Sequence, residues 1–250
     1  AIAGRWRAGL ARLNADLSFD ASFAPRAIDG TIKAIVPLAS GTLWIAGQLA
    51  TIDGAARGNV ARLNADGSLD PTFSVAAAGL GGMIYAMAVL GDGRVLLGGS
   101  MTKTGSHSSA LALLSLDGTV AVMNPPATLG TTVKVMAVQP DGKILVGSDA
   151  PYYRAPSGNG IARLNSDGST DATFAAVDVA GDLGSVYALA IQADGKLLVG
   201  GYLSNHPGAR VVRLLASGAL DPSFSGTAGL LVEGTVRCLA VQLDGKIVAG

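Results

Sequence analysis

A stretch reading Ala61-Arg62-Leu63-Asn64-Ala65-Asp66-Gly67-Ser68-Leu69-Asp70-Pro71-Thr72-Phe73 returns three times in this chain. It recurs from Ala11 to Phe23, from Ala162 to Phe174 and, more loosely, from Val212 to Phe224, and a degenerate copy starts at Ala112. A second stretch, Val186 to Gly201, alternates with the first, and its other copies centre on Gly41, Gly93, Gly142 and Gly245. The 250 residues are therefore five tandem copies of one unit of roughly fifty residues. A single unit of this size cannot bury its own apolar face, so neighbouring copies must stack.

The second stretch reads as a hairpin. Asp92-Gly93, Asp141-Gly142, Asp194-Gly195 and Asp244-Gly245 each separate two apolar runs, and Asp-Gly suits a tight turn with positive φ at its central residues. The first run is apolar on both faces, which predicts a strand buried on both sides. Five residues before the turn glycine stand Val36, Ala88, Ala137, Ala190 and Ala240. Two residues earlier stand Ala34, Ala86, Val135, Ala188 and Cys238. Between them come Ile35, Met87, Met136, Leu189 and Leu239. One face of the strand is small in nearly every copy and the other is bulky, as expected near a crowded axis.

The first stretch predicts a second hairpin: a strand at Ala61 to Asn64, a turn at Ala65 to Ser68, and a return strand ending at Phe73. Two hairpins per unit make a four-stranded sheet. The fold class expected is all-β, a β-propeller of five repeats with about four strands per blade, residues 1–250 forming one domain. The chain opens on the second hairpin of a unit and ends on the first, in nearly the same columns. Paired, these half-repeats close a ring; a longer array or an open superhelical stack is the alternative. The chain starts at Ala1 rather than Met, so a processed protein or a piece of a longer one is expected.

Together the two stretches resemble the delta-60 repeat of large bacterial proteins. The likeness rests on Ala-Arg-Leu-Asn-x-Asp-Gly-Ser-x-Asp-x-x-Phe followed by Ala-x-Gln-x-Asp-Gly-Lys-Ile-Leu-Val-Gly-Gly, matched best by Ala162 to Phe174 and Val186 to Gly201. It departs where Ala112 to Asn124 lacks the Arg and the Phe, and where Ser40-Gly41-Thr42 replaces Asp-Gly-Lys. The resemblance implies bacterial origin, export to the cell surface or beyond, and a propeller-like architecture. It implies no catalytic residues.

The formal net charge is zero and charged residues make up 14% of the chain, with no basic patch to neutralise phosphates, so nucleic acid is not an expected partner. The longest apolar stretch, Val75 to Leu90, is broken by Gly79, Gly81 and Gly82 and is too short to cross a bilayer, so no membrane insertion is expected. Cys238 is the one cysteine; it excludes an intrachain disulfide, and its column of Ala and Val predicts a small core residue. Trp44 shares a column with Leu96, Leu145, Leu198 and Val248 and is also expected in the core. Phe23, Phe73, Phe174 and Phe224 recur at one position and are expected to plug the space between blades.

Asn64-x-Asp66-Gly67-x-x-Asp70 resembles the end of an oxygen-rich calcium loop. Arg62, however, stands where the first ligand belongs, and a guanidinium repels a cation. Arg12, Arg62, Arg163 and Arg213 accompany Asp20, Asp70, Asp171 and Asp221, and the degenerate copy loses both at once, as Leu113 and Ala121. Each Arg is therefore expected to pair with the Asp of its own unit or the next, bidentately, as a structural salt bridge. No metal and no cofactor are expected.

His107 and His206 lie in different units without spaced ligands, and no Gly-x-Ser-x-Gly, Walker or His-Glu-x-x-His motif occurs. What varies between copies is the loop after each Val-Gly-Gly run, and a ring gathers these loops on one side. Trp6, Tyr152, Tyr153, Arg154, Tyr202, Asn205 and His206 are the polar-aromatic residues there, a composition suited to a glycan or protein ligand. Lys33, Tyr85, Lys134, Tyr187 and Arg237 share another column, eight before the turn glycine, which marks the mouth of a channel where cations attract an anion. The function expected is that of a non-enzymatic binding or structural module of an exported protein. A lectin using the loops or inter-blade clefts is one alternative, and a propeller hydrolase or lactonase is another.

Overall fold

The computed structural model describes residues 9–25, 27–75, 80–103, 109–124, 126, 129–149, 160–174, 184–203, 210–224 and 234–250. Among these, regular structure is entirely β, in five antiparallel sheets that follow one another along the chain. The first sheet holds β1 (Ile28–Pro37), β2 (Leu43–Ile52), the short β3 (Ala55–Ala56) and β4 (Val60–Leu63). The second runs β5 (Leu80–Val89), β6 (Val95–Lys103), β7 (Ser109–Leu114), β8 (Val120–Met123). The third joins β9 (Val133–Val138), β10 (Ile144–Ser148) and β11 (Ile161–Leu164), and the fourth β12 (Ser185–Ile191), β13 (Leu197–Tyr202) and β14 (Val211–Leu214). The fifth has two strands, β15 (Leu239–Val241) and β16 (Ile247–Ala249).

The Asp-Gly turns differ from the sequence expectation. Only the glycine is left-handed, with φ of 85° at Gly93, and the preceding Asp is not. Leu90 N–H donates to Arg94 O at 2.8 Å and Gly93 N–H to Leu90 O at 2.9 Å, which makes a three-residue loop with one left-handed position. The aspartate acts as a cap: Asp92 Oδ1 accepts the N–H of Arg94 at 3.0 Å.

The return strand of the other hairpin is also shorter than expected. It is reduced to single bridges at Leu13–Phe19, Leu63–Leu69, Leu164–Thr170 and Leu214–Leu220. A full strand, β8, forms in the degenerate copy, where Leu111 to Leu114 pair with Val120 to Met123. The reason is local. In the other copies the Asp accepts bonds from the residues that follow it, and the chain turns there instead of continuing along the sheet.

Burial is also redistributed. In the first four sheets the strand buried on both sides is the second of the hairpin, as in β10, where every residue is buried, while β1 alternates with exposed positions. A middle strand has sheet neighbours on both edges and sheets on both faces, whereas the first strand forms an edge.

Five apolar layers separate the successive elements. The hairpin Leu10 to Phe23 packs on the first sheet through Leu10, Phe23, Ile45 and Leu63. The next four layers join sheets one and two, two and three, three and four, and four and five. In each, the small face of one inner strand receives the bulky face of the next: Val135 and Ala137 meet Leu189 and Ile191, and Ala188 and Ala190 meet Leu239 and Val241. The glycines of the Val-Gly-Gly runs permit this approach, since a Cβ on Gly147 would come within 2.6 Å of Val186 Cγ1 and 2.7 Å of Val135 Cγ1.

The two ends of the series leave matching surfaces uncovered. Ile35, on the bulky face of the first sheet, is 48% exposed where Met87 is 7%. Val248 is 52% exposed where Leu145 and Leu198 are 0%, and Leu13 is 44% exposed where Leu164 and Leu214 are 1%. Cys238 is exposed as well. This corrects the expectation of a core cysteine: its column packs against a following sheet, and here none covers it.

Candidate functional site

The Arg–Asp pairs form within each hairpin. Nε of Arg12, Arg62, Arg163 and Arg213 donates to Oδ2 of Asp20, Asp70, Asp171 and Asp221 at 2.7 to 2.8 Å. The pair is not bidentate, contrary to expectation. The other carboxylate oxygen is taken by the turn: Asp70 Oδ1 accepts from the N–H and Oγ1 of Thr72, and Asp221 Oδ1 from those of Ser223. The guanidinium uses a further nitrogen elsewhere, Arg62 Nη2 donating to Thr72 Oγ1 at 3.1 Å. Each Arg also lies over the ring that ends its own unit, at 4.8 Å for Phe23, 5.4 Å for Phe73 and 4.7 Å for Phe174 and Phe224. Phe23 and Phe73 are fully buried between adjoining layers, and Trp44 meets Phe73 edge-on at 4.6 Å.

Two lysines join the clamps, and sequence reasoning missed them. Lys143 Nζ lies 2.8 Å from Asp171 Oδ2, and Lys196 Nζ lies 3.1 Å from Asp221 Oδ2. They come from the Asp-Gly-Lys turns, which the register Leu145–Arg163 and Leu198–Arg213 sets beside the Arg. The signal was present: the unit with Thr42 in place of Lys has only Arg62 on its Asp70. Lys143, then Thr173, hold the Asp171 carboxyl far below the usual carboxylate range, and Ser223 with Lys196 and Arg213 does the same for Asp221. Hydrogen bonds from Ser22 and then Arg12 lower Asp20 to about 2. In the unit without a clamp Asp, Arg94 turns instead to Asp92 at 2.6 Å.

The carboxylates of the calcium-like loops are thus engaged by cations and by their own turns. Asp66 accepts the N–H of Ser68, and Asn64 Nδ2 donates to Ser68 Oγ. Among the described residues, no three His, Cys, Asp or Glu side chains gather where they could hold a metal ion.

At the opposite end of the sheets, one position recurs as a β-bulge. The extra residue is Lys33 in β1, Tyr85 in β5, Lys134 in β9 and Tyr187 in β12. Ahead of β15 the same feature falls at Arg237, where the N–H groups of Arg237 and Cys238 both donate to Gly250 O, at 2.7 and 3.0 Å. A bulge re-aims a side chain out of the strand's regular alternation. Lys134 Nζ lies 4.1 Å from the centroid of Tyr85, and the Arg237 guanidinium 5.4 Å from that of Tyr187. Lys134 also faces Asp149 at 3.9 Å.

This is the end from which the variable loops depart. Tyr202, the last residue of β13, is 42% exposed, and the Arg210 guanidinium lies over its ring at 5.3 Å. Trp6, Tyr152, Tyr153, Arg154, Asn205 and His206 fall outside the described residues, as does His107.

Solved structures resemble this arrangement. The extracellular domain of the putative hybrid two-component system BT3049 from B. thetaiotaomicron superposes with a TM-score of 0.62 at 15% identity, covering 98% of this chain and 29% of that one. Virginiamycin B lyase from Staphylococcus aureus gives 0.51 at 14% identity, covering 87% of this chain and 62% of that one. PorZ, a surface component of the type-IX secretion system of Porphyromonas gingivalis, gives 0.51 at 15%, covering 86% and 30%. The chain thus spans less than two thirds of each, and at these identities the likeness is one of fold. No curated protein matches the sequence. A family model matches residues 1–23, 38–73, 139–174 and 192–224, just over half of the chain. Those segments contain all four clamps, and the chain belongs to the family described as a domain of unknown function (DUF5122) beta-propeller.

Proposed function

We propose that residues 1–250 form a single five-bladed propeller that serves as a non-enzymatic binding or structural module of an exported bacterial protein. The observation that carries this reading is the polarity of the unit. One end of every sheet is built from recurring turns, with charge clamps in four hairpins. The other end releases segments that share no pattern, next to a column of cations and tyrosines. A rigid scaffold with one variable end is the usual layout of a recognition surface.

Ring closure is part of the same proposal. Arg12 Nη1 donates to Ala65 O at 2.7 Å, just as Arg163 Nη1 donates to Ala216 O at 2.6 Å. The hairpin at Leu10 to Phe23 therefore sits on the first sheet as the outer part of the third sheet sits on the fourth. It lacks inner strands, and β15–β16 lacks outer ones. Set beside β16 in the register of the other sheets, Leu13 would oppose Ile247 and Arg12 would oppose Val248.

Within a binding role, Tyr202 beneath Arg210 favours a carbohydrate ligand, since a tyrosine beside a cation suits a sugar ring with polar substituents. The test is a glycan-array screen with and without a calcium chelator, repeated on a Tyr202→Ala, Arg210→Ala variant. Specific binding that survives the chelator and falls in the variant supports the reading. Turnover of ester, lactone or glycoside substrates by the purified protein would overturn it.

A further inference from the structure

The bulge column alternates in charge along the series: Lys33, Tyr85, Lys134, Tyr187, Arg237. Each junction between successive sheets therefore joins one cation to one aromatic ring. At two junctions the cation lies over the preceding tyrosine, Lys134 on Tyr85 and Arg237 on Tyr187. Five is odd, so the alternation must fail once in a closed ring. In the proposed ring it would fail where the fifth sheet is brought to the first: Arg237 would come round to Lys33, which has no tyrosine before it to lie over. Among the described residues neither cation has a carboxylate within ion-pair distance, and both are exposed. Two like charges brought together at the rim of a channel oppose the approach that the apolar faces favour.

We propose that this seam is an anion site: an oxyanion, either the carboxylate or sulfate of an acidic glycan or a free inorganic ion, bridges Arg237 and Lys33 and favours the closed ring. The proposal rests on the ring reading above. The chemistry follows from the two partners. A guanidinium offers a planar fork to two oxygens, and an ammonium offers a compact charge to a third. The stacked tyrosine holds Arg237 in place, so less freedom is lost on binding. The seam lies at the loop end of the sheets, the end that also carries Tyr202.

Closure is read first and by itself. In a Cys238→Ser background, Ala11→Cys and Ala249→Cys should form an intramolecular disulfide, as those positions face each other in the expected register. Isothermal titration with sodium sulfate and with an oligogalacturonate follows, an uncharged oligosaccharide being the control. We expect saturable binding of at least one acidic probe, weakened about tenfold by Arg237→Gln, the loss expected for one charge-assisted contact. The probe should also speed disulfide formation. In Lys33→Tyr, which supplies the missing ring, closure should become independent of anions. Binding of both probes points to the free ion as sufficient, and binding of the oligogalacturonate alone points to the glycan. If the disulfide forms but neither acidic probe binds, or acidic-probe binding is unchanged in Arg237→Gln, the site is overturned and the ring stands. If the disulfide never forms within one chain, the ring reading falls and the site with it.

Discussion

Asp171 accepts from Arg163 and Lys143 with its side chain 4% exposed, so its removal would leave two cations facing each other without a counter-charge. Asp171→Ala should cost about 3–5 kcal/mol in a urea titration, the range for breaking a buried pair on one side. Asp20→Ala should cost less, because Arg12 and Asp20 are more exposed, at 38% and 17%. The clamps also set a pH dependence. Asp20 falls from 3.8 to about 2 on folding, and Asp70, Asp171 and Asp221 are lowered too. A lowered carboxylate pKa stabilises the fold above the unfolded value and loses that contribution as pH falls through the folded one. Thermal midpoints should therefore drop steeply between about pH 4 and pH 2, and an Asp171→Asn variant should show a shallower drop from a lower plateau. A profile of unchanged slope in that variant would contradict the assignment. The pairing itself was legible because Leu113 and Ala121 lose both partners together. The lysines were missed although Thr42 marks their absence from one unit, because they belong to a different stretch and meet the Asp only through strand register.

Between sheets, the energetics rest on close approach. Gly147 lies against Val186 of the next sheet and Val135 of its own, and a methyl group there has no room. Gly147→Ala should cost about 1–3 kcal/mol, the usual penalty for overpacking a core. Val186→Ala in the same chain should recover part of that loss, which a double-mutant cycle would register as coupling. Additive losses would mean that the valine is not the obstacle. The small and bulky columns of the inner strand were readable from sequence because they repeat. The turn type was not, since Asp-Gly is compatible with several hairpin loops and only backbone geometry separates them. The shortened return strand escaped for a related reason: the Asp at the expected strand end caps its own turn. The degenerate unit argues this point, since without the Arg and Asp it forms the full β7–β8 pair.

At the scale of the whole molecule, the question is whether the exposed faces at the two ends of the series meet. Leu13 at 44% and Val248 at 52% occupy columns that are buried in every other unit. Open stacks of repeats unfold in parts, because each unit answers only to its neighbours, whereas a ring ties the first unit to the last. The two architectures therefore assign different weights to one side chain. In an open stack Leu13→Ser is a surface change, within about 0.5 kcal/mol of neutral. In a ring it removes a leucine from a sheet junction and should approach the loss for Leu214→Ser, about 2–3 kcal/mol from apolar burial alone. Urea titrations of both variants decide the matter, and the ring predicts comparable shifts in midpoint with a single transition. A silent Leu13→Ser beside a damaging Leu214→Ser would leave the first and fifth sheets as free ends. Lys246 then adds an independent reading. Among the described residues it reaches only Asp244, at 2.6 Å, while its counterparts Lys143 and Lys196 hold the clamp aspartates of their own sheets. A ring brings it to Asp20, so Lys246→Ala should raise the titration midpoint of Asp20 by carbon-detected NMR, and an open stack should leave that midpoint where it is.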